Sequence, residues 1–266
     1  MTQLTLAPLS NFDIGAVAAT AVAVAAYRVR ALDAGGALAA CAVGTATYGA
    51  LGLRGAAVLL AFFITSIALS RAGKARKAKL LEDAGKTGPR DGAQVIANGG
   101  VAAACALLAL WVDPRYAIGF AGAFAAATAD TWATEVGTLA RAVPRSILTF
   151  RPVATGLSGG ITVAGTLAEI VGALWVALVA QLLAPHTFVA VACAGIGGAV
   201  FDSVLGASVQ SKRWCPNCKR ATEREPHTCG ANTSPLRGFA WIGNDTVNFA
   251  STLAGAAIAF ALASLS

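Results

Sequence analysis

Long apolar stretches constrain the fold of this chain before any motif is considered. Eight of them, near 11–30, 35–52, 55–70, 93–112, 115–140, 158–184, 187–209 and 243–264, read as helices that cross a bilayer. A hydrocarbon core takes roughly 20 helical residues to cross, so the second, third and eighth stretches are short and their edges are loosely drawn. Charged residues make up 12% of the chain, against about 25% in a soluble domain, and the mean hydropathy is +0.67. Alanine and glycine supply much of the apolar share, which suits helices that touch through small residues. No polar stretch is long enough to bury a core of its own. The expected fold is therefore all-α: a polytopic membrane helix bundle of about eight transmembrane helices, one integral membrane domain over 1–266.

The basic residues test that count. With eight spans and the N-terminus outside, 18 of the 20 Lys and Arg fall in loops on one side, leaving only Arg54 and Arg115 on the other. Such a bias marks the cytoplasmic side, which places the chain in the cell (inner) membrane with its loops at 71–91 and 210–238 inside. The net charge of +7 is then explained by topology and needs no nucleic-acid partner. The surplus is available to nucleotide phosphate or anionic lipid. The first residues, MTQLTLAPLSNFD, carry no basic segment, so a cleaved signal peptide is not expected.

Polar groups are unevenly shared. The first three spans (1–70) carry little beyond Thr and Ser and read as scaffold, whereas 86–252 reads as the functional core. Five carboxylates, Asp130, Glu135, Glu169, Asp202 and Asp245, lie inside or at the mouths of apolar stretches. A charge in hydrocarbon costs several kcal/mol, so such groups face a bundle interior and mark function. Asp91, Gln94 and Asn98 share one helix face; Thr131, Glu135 and Thr138 share another. Ser158, Thr162, Thr166 and Glu169 form a third stripe, and Asp245, Asn248 and Thr252 a fourth. Stripes of this kind line a wet chamber, here one that faces the cytoplasm.

Hard cations take oxygen ligands, so Asp130, Glu135, Asp202 and Asp245 are candidate Mg²⁺ ligands. Phosphoryl transfer asks for such a site plus positioning groups. Glu169 has no neighbouring ligand and is the weaker candidate. Asn98, Gln94 and Asn248 complete the shell, bind nucleotide or join helices by hydrogen bonds. Lys86, Arg90, Arg151, Lys212 and Arg237 sit beside the acidic spans and suit phosphate. No GxxxxGK[ST] sequence occurs, which argues against a P-loop kinase. In the 210–238 loop, Cys215, Cys218, His227 and Cys229 offer four soft ligands for one structural zinc ion, with reduced metal-free thiols as the alternative.

Read in order, GPRDGAQVIANGG, ADTWATEVG, PVATGLSGGITVAGT, FDSVLGASVQ, WCPNCK…HTCG and NDTVNF resemble the phytyl-phosphate kinase family of the tocopherol pathway, from about residue 86 to 252. The resemblance implies a prenyl-phosphate kinase of isoprenoid metabolism. Such an enzyme would convert a phytyl or geranylgeranyl monophosphate to the diphosphate, with CTP or another nucleoside triphosphate as donor. Asp130, Asp202, Asp245, Glu135 and Asn248 would then carry the chemistry with Mg²⁺. Lys86, Arg90, Asp91, Asn98, Arg151, Lys212 and Arg237 would hold the nucleotide. Two other activities suit a polar chamber: cytidylyl transfer onto a lipid phosphate, and cation-coupled transport.

Overall fold

In the computed structural model the described residues are 6–80, 83, 85 and 88–264. They form a helical bundle: α1 (Leu6–Arg28), α2 (Ala34–Arg71), the short α3 (Lys74–Leu80), α4 (Gly92–Trp111), α5 (Tyr116–Leu139), α6 (Val163–Ala180), α7 (Phe188–Ser208) and α8 (Asn244–Ala263). Five of these, α2, α4, α6, α7 and α8, are long and apolar enough to cross a membrane. A two-stranded ribbon pairs β1 (Arg145–Ser146) with β2 (Gly160–Ile161). A three-stranded antiparallel sheet follows α7, with β3 (Lys212–Cys215) between β4 (Arg220–Thr222) and β5 (Ser234–Arg237).

The stretches near 35–52 and 55–70 form one element, α2, of 38 residues. Straight, it would run about 57 Å, nearly twice the hydrocarbon thickness. It does not run straight, because Gly52 leaves helical geometry at φ 58°, ψ −150°, a conformation open essentially to glycine alone. The arm after Gly52 returns beside the arm before it. At its end the Arg71 guanidinium donates to Val29 O at 2.7 Å, at the level where α1 stops.

The core is built around α5. Every residue from Gly119 to Ala129 is buried, so this helix is covered on all sides, by α2, α4, α6, α7 and α8. Small side chains make that possible. A methyl group at Gly122 would stand 2.5 Å from Ala259 Cβ and from Gly255 O, so α5 and α8 meet backbone to backbone. Phe120, Phe124 and Phe62 fill the wider space toward α2, with ring centroids 5.1 and 5.4 Å apart. Hydroxyls fasten α8 to two neighbours: Thr252 donates to Ala97 O at 3.0 Å and Ser251 to Gly198 O at 2.9 Å.

The connections bring one end of every long helix, and both ends of α2, to the same end of the bundle. Backbone bonds between Asp33 N and Arg90 O, and between Arg90 N and Ala31 O, each 3.0 Å, tie the start of α2 to the entry of α4. Asp91 then caps α4 in a reciprocal box with Gln94. The polar face expected for Asp91, Gln94 and Asn98 is thus partly a helix start.

The sixth helix corrects the sequence reading. It begins at Val163, with Thr162 as its N-cap accepting from Gly165 N at 3.0 Å. Ser158 therefore stands outside the helix, in a turn where Gly156 and Gly159 take φ of 90° and 78°. Two glycines at positive φ within four residues cannot continue a helix, which overrides the stripe that began at Ser158.

Candidate functional site

At this end of the bundle the helices enclose a cavity of about 450 Å³. Among the described residues five acids line it: Asp130 and Glu135 from α5, Glu169 from α6, Asp202 from α7, and Glu223 from just after β4. Asn98 of α4 and Asn244 and Asn248 of α8 also line it. Glu169 is as well placed as the others, although its sequence neighbours gave it the weaker case.

Charge is distributed unevenly around these groups. Arg90 lies within electrostatic reach of both Glu135 and Asp130 and sits 6.0 Å from the centroid of the Phe62 ring. Asp130, Glu223 and Glu169, all of its own sign, act on Asp202 among the described residues. Among the described residues its Oδ2 is buried without a hydrogen-bond partner. An orphaned carboxylate oxygen among other acids is the environment that a bound cation relieves. The donor set is oxygen throughout, which fits Mg²⁺.

Glu135 is committed differently. Its Oε1 accepts from Ser70 Oγ at 2.5 Å and its Oε2 pairs with Lys77 Nζ at 2.5 Å. Lys77 is itself buried and also donates to Leu69 O at 2.6 Å. The carboxylate read from the sequence as a metal ligand is thus the partner of a buried lysine.

The other sequence candidates divide by position. Asp245 stands in the first turn of α8, and it is its neighbours Asn244 and Asn248, not Asp245, that line the cavity. Arg151, in a loop, and Arg237, at the end of β5, are exposed and do not line it. Lys212 is buried outside it and donates to Ser158 O at 2.7 Å. Lys86 lies outside the described residues.

Several lining groups escape a sequence reading. Ser70, Arg71, Lys74 and Lys77 come from the end of α2 and from α3, so the end of the scaffold region and the basic connection after it supply one wall. Nothing in SRAGKARKAK separates a buried lysine from its neighbours. Glu223, in an unremarkable TEREP run, reaches the cavity through the turn ahead of α6. Its Oε1 accepts from Ser158 N at 2.7 Å, and its Oε2 from Ser158 Oγ and Gln210 Nε2, each at 3.1 Å. Burial raises the Glu223 carboxyl above its ordinary range and draws the Lys212 ammonium below its own.

The four Cys and His side chains of the 210–238 loop come together. Their ligand atoms all lie within 4.8 Å of one another.

Among curated proteins the chain is similar to Protein PGR of Arabidopsis thaliana, at 31% identity over 231 residues, 76% of this chain and 79% of the relative. An uncharacterised membrane protein of Methanocaldococcus jannaschii is 36% identical over 158 residues, 58% of this chain and 65% of its own. Protein VTE6, chloroplastic, of Arabidopsis thaliana is 25% identical over 228 residues, 79% of this chain and 59% of the relative. No solved structure matches. The plant relatives fall in the group to which the ordered motifs pointed. The family match runs over residues 17–256, and the chain belongs to the DUF92 family of integral membrane proteins.

Proposed function

We propose that this protein is a membrane-embedded kinase. It would transfer a phosphoryl group from CTP or another nucleoside triphosphate to a phytyl, geranylgeranyl or related prenyl monophosphate. One observation carries the reading. The polar cavity adjoins a second, apolar pocket of about 120 Å³ between α1, α2 and α4, and Arg90, Gln94 and Asn98 line both. Val43, Leu59, Phe62 and Phe63 line the apolar side. Polar and apolar chambers that share a basic edge suit an amphiphile with an anionic head. The motif resemblance narrows that amphiphile to a prenyl phosphate.

In this reading the prenyl chain lies against Phe62 and its neighbours, and Arg90 holds the head phosphate at the junction. A phosphate oxygen of the acceptor attacks the terminal phosphorus of the donor. One P–O bond forms, the bridging P–O bond to the donor's second phosphate breaks, and the nucleoside diphosphate leaves. The acceptor is already ionised, so no general base is required. Asp130, Asp202 and Glu169 would hold Mg²⁺, which offsets charge on the donor phosphates. Arg90 and the Lys74–Lys77 wall offset what remains. Eight crossings would place this end of the bundle at the cytoplasmic face of the cell membrane, where nucleotide is available.

The test is purified protein incubated with each prenyl monophosphate, Mg²⁺ and each nucleoside triphosphate in turn, followed by mass analysis of the lipid. A prenyl diphosphate is expected. A nucleotidyl-lipid, or an unchanged lipid with every donor, overturns the proposal.

A further inference from the structure

The Cys/His cluster lies outside the cavity, yet its small sheet places two of the residues that hold the cavity rim. Cys215 ends β3, the strand that begins with Lys212, and Glu223 directly follows β4, which pairs with β3. From these positions Lys212 donates to Ser158 O and Glu223 accepts from Ser158 N. Ser158 is thus gripped at both its backbone groups by residues of one small sheet. The turn that contains it lines the cavity from Thr155 to Gly160.

That sheet has few means of holding itself together. Its strands β3, β4 and β5 are four, three and four residues long with little apolar burial, and a small sheet without an apolar face is marginal in water. The ligand geometry supplies what the core lacks. Cys215 Sγ and Cys229 Sγ are 3.6 Å apart, and His227 Nδ1 is 3.6 Å from Cys218 Sγ and 3.2 Å from Cys229 Sγ. A tetrahedral zinc ion with bonds of about 2.3 Å to sulfur separates its ligand atoms by roughly 3.5–3.8 Å. A disulfide, by contrast, would need about 2.05 Å.

Two further features are those of a zinc site. The Cys218 amide approaches Cys215 Sγ at 3.5 Å, donating toward the atom that would carry thiolate charge. On the far side of the imidazole, His227 Nε2 stands 3.0 Å from Asp83 Oδ1. A carboxylate accepts only, so Nε2 carries the proton and Nδ1 presents its lone pair to the three sulfurs. Asp83 is fastened in turn: its backbone carbonyl accepts from Glu223 N at 2.8 Å and Thr222 Oγ1 at 3.1 Å.

We propose that Cys215, Cys218, His227 and Cys229 hold one zinc ion, with Asp83 orienting His227, and that this ion fixes Glu223 and Lys212 on the Ser158 turn at the cavity rim. The ion does no chemistry; four protein ligands leave no open position. Its effect on the cavity is mechanical, through Glu223. The proposal is independent of the reaction assigned to the cavity, because its readouts are metal content and backbone exchange.

Elemental analysis of the purified full-length protein should give one zinc per chain, and cobalt replacement should give the absorption of a tetrahedral site with sulfur ligands. Hydrogen exchange of the peptide around 153–162 then reads the linkage. Removing zinc from the intact protein with a thiol reagent and chelator should speed exchange at Ser158 about tenfold or more, the loss of one charge-assisted hydrogen bond. Glu223→Gln should give a similar change with zinc still bound, which separates the linkage from any failure to fold. Absence of zinc, or a Cys215–Cys229 disulfide in its place, overturns the metal site. Zinc release that leaves exchange at 153–162 unchanged overturns the coupling.

Discussion

Asp202 is the residue whose surroundings make the sharpest demand. Among the described residues one of its buried oxygens has no hydrogen-bond partner and three acids lie nearby, a setting that a bound cation would relieve. Asp202→Asn keeps the volume and removes the charge, so the variant should fold. In the proposed kinase it should lose activity about 10²-fold or more, as should Asp130→Asn, measured as prenyl diphosphate formed at saturating Mg²⁺. Glu135 predicts the opposite balance. Glu135→Gln leaves Lys77 buried without its counter-charge, a loss of roughly 3–5 kcal/mol. Thermal unfolding in detergent should show it as the least stable of the three variants. Paired replacement of Lys77 by Met and Glu135 by Leu should recover much of that loss. These roles were only partly legible in the sequence. An acid within an apolar run is conspicuous, so Asp130, Glu169 and Asp202 were visible. Lys77 was not, because its burial depends on α3 folding back onto α5, and a basic run looks the same whether solvated or covered.

At the scale of the element, hydropathy located the helices well because each must present apolar side chains along its whole length. Where a helix starts depends on dihedrals and caps, and there the pattern failed: Ser158 and Thr162 keep the helical spacing while Gly156 and Gly159 turn the chain away from it. Gly52 is the clearest case of a backbone requirement. It takes φ 58°, ψ −150°, and a methyl group added there would meet nothing within 4 Å. Gly52→Ala should therefore cost about 1–3 kcal/mol through conformation alone, with no clash to relieve. The same substitution at Gly88, also at positive φ with open space around it, should cost less. Gly88 serves a loop, whereas Gly52 joins two arms of the bundle. Unfolding midpoints of the two variants, measured side by side in detergent, check the difference.

For the whole molecule, the structure and the charge bias bear on the same question by different routes. The bundle has two ends. One gathers the cavity, the small sheet, the end of α2 and the start of α4; the other holds the Gly52 turn and the entry of α5. Arg54 and Arg115, the two basic residues that the eight-span reading leaves on the minority side, stand beside that turn and at that entry. The helix ends were sorted by packing and hydrogen bonds, the arginines by sequence alone, and the two sortings agree. The basic loops sit at the cavity end, and in the proposed topology their charge turns that end to the cytoplasm. Cysteines introduced singly as Arg54→Cys and Arg151→Cys test it, since both positions are exposed. An impermeant maleimide applied to intact cells should label the first above the parent chain and leave the second at the parent level until the membrane is opened. Labelling of Arg151→Cys in sealed cells would turn the cavity outward, away from any nucleotide, and the kinase reading would lose its donor.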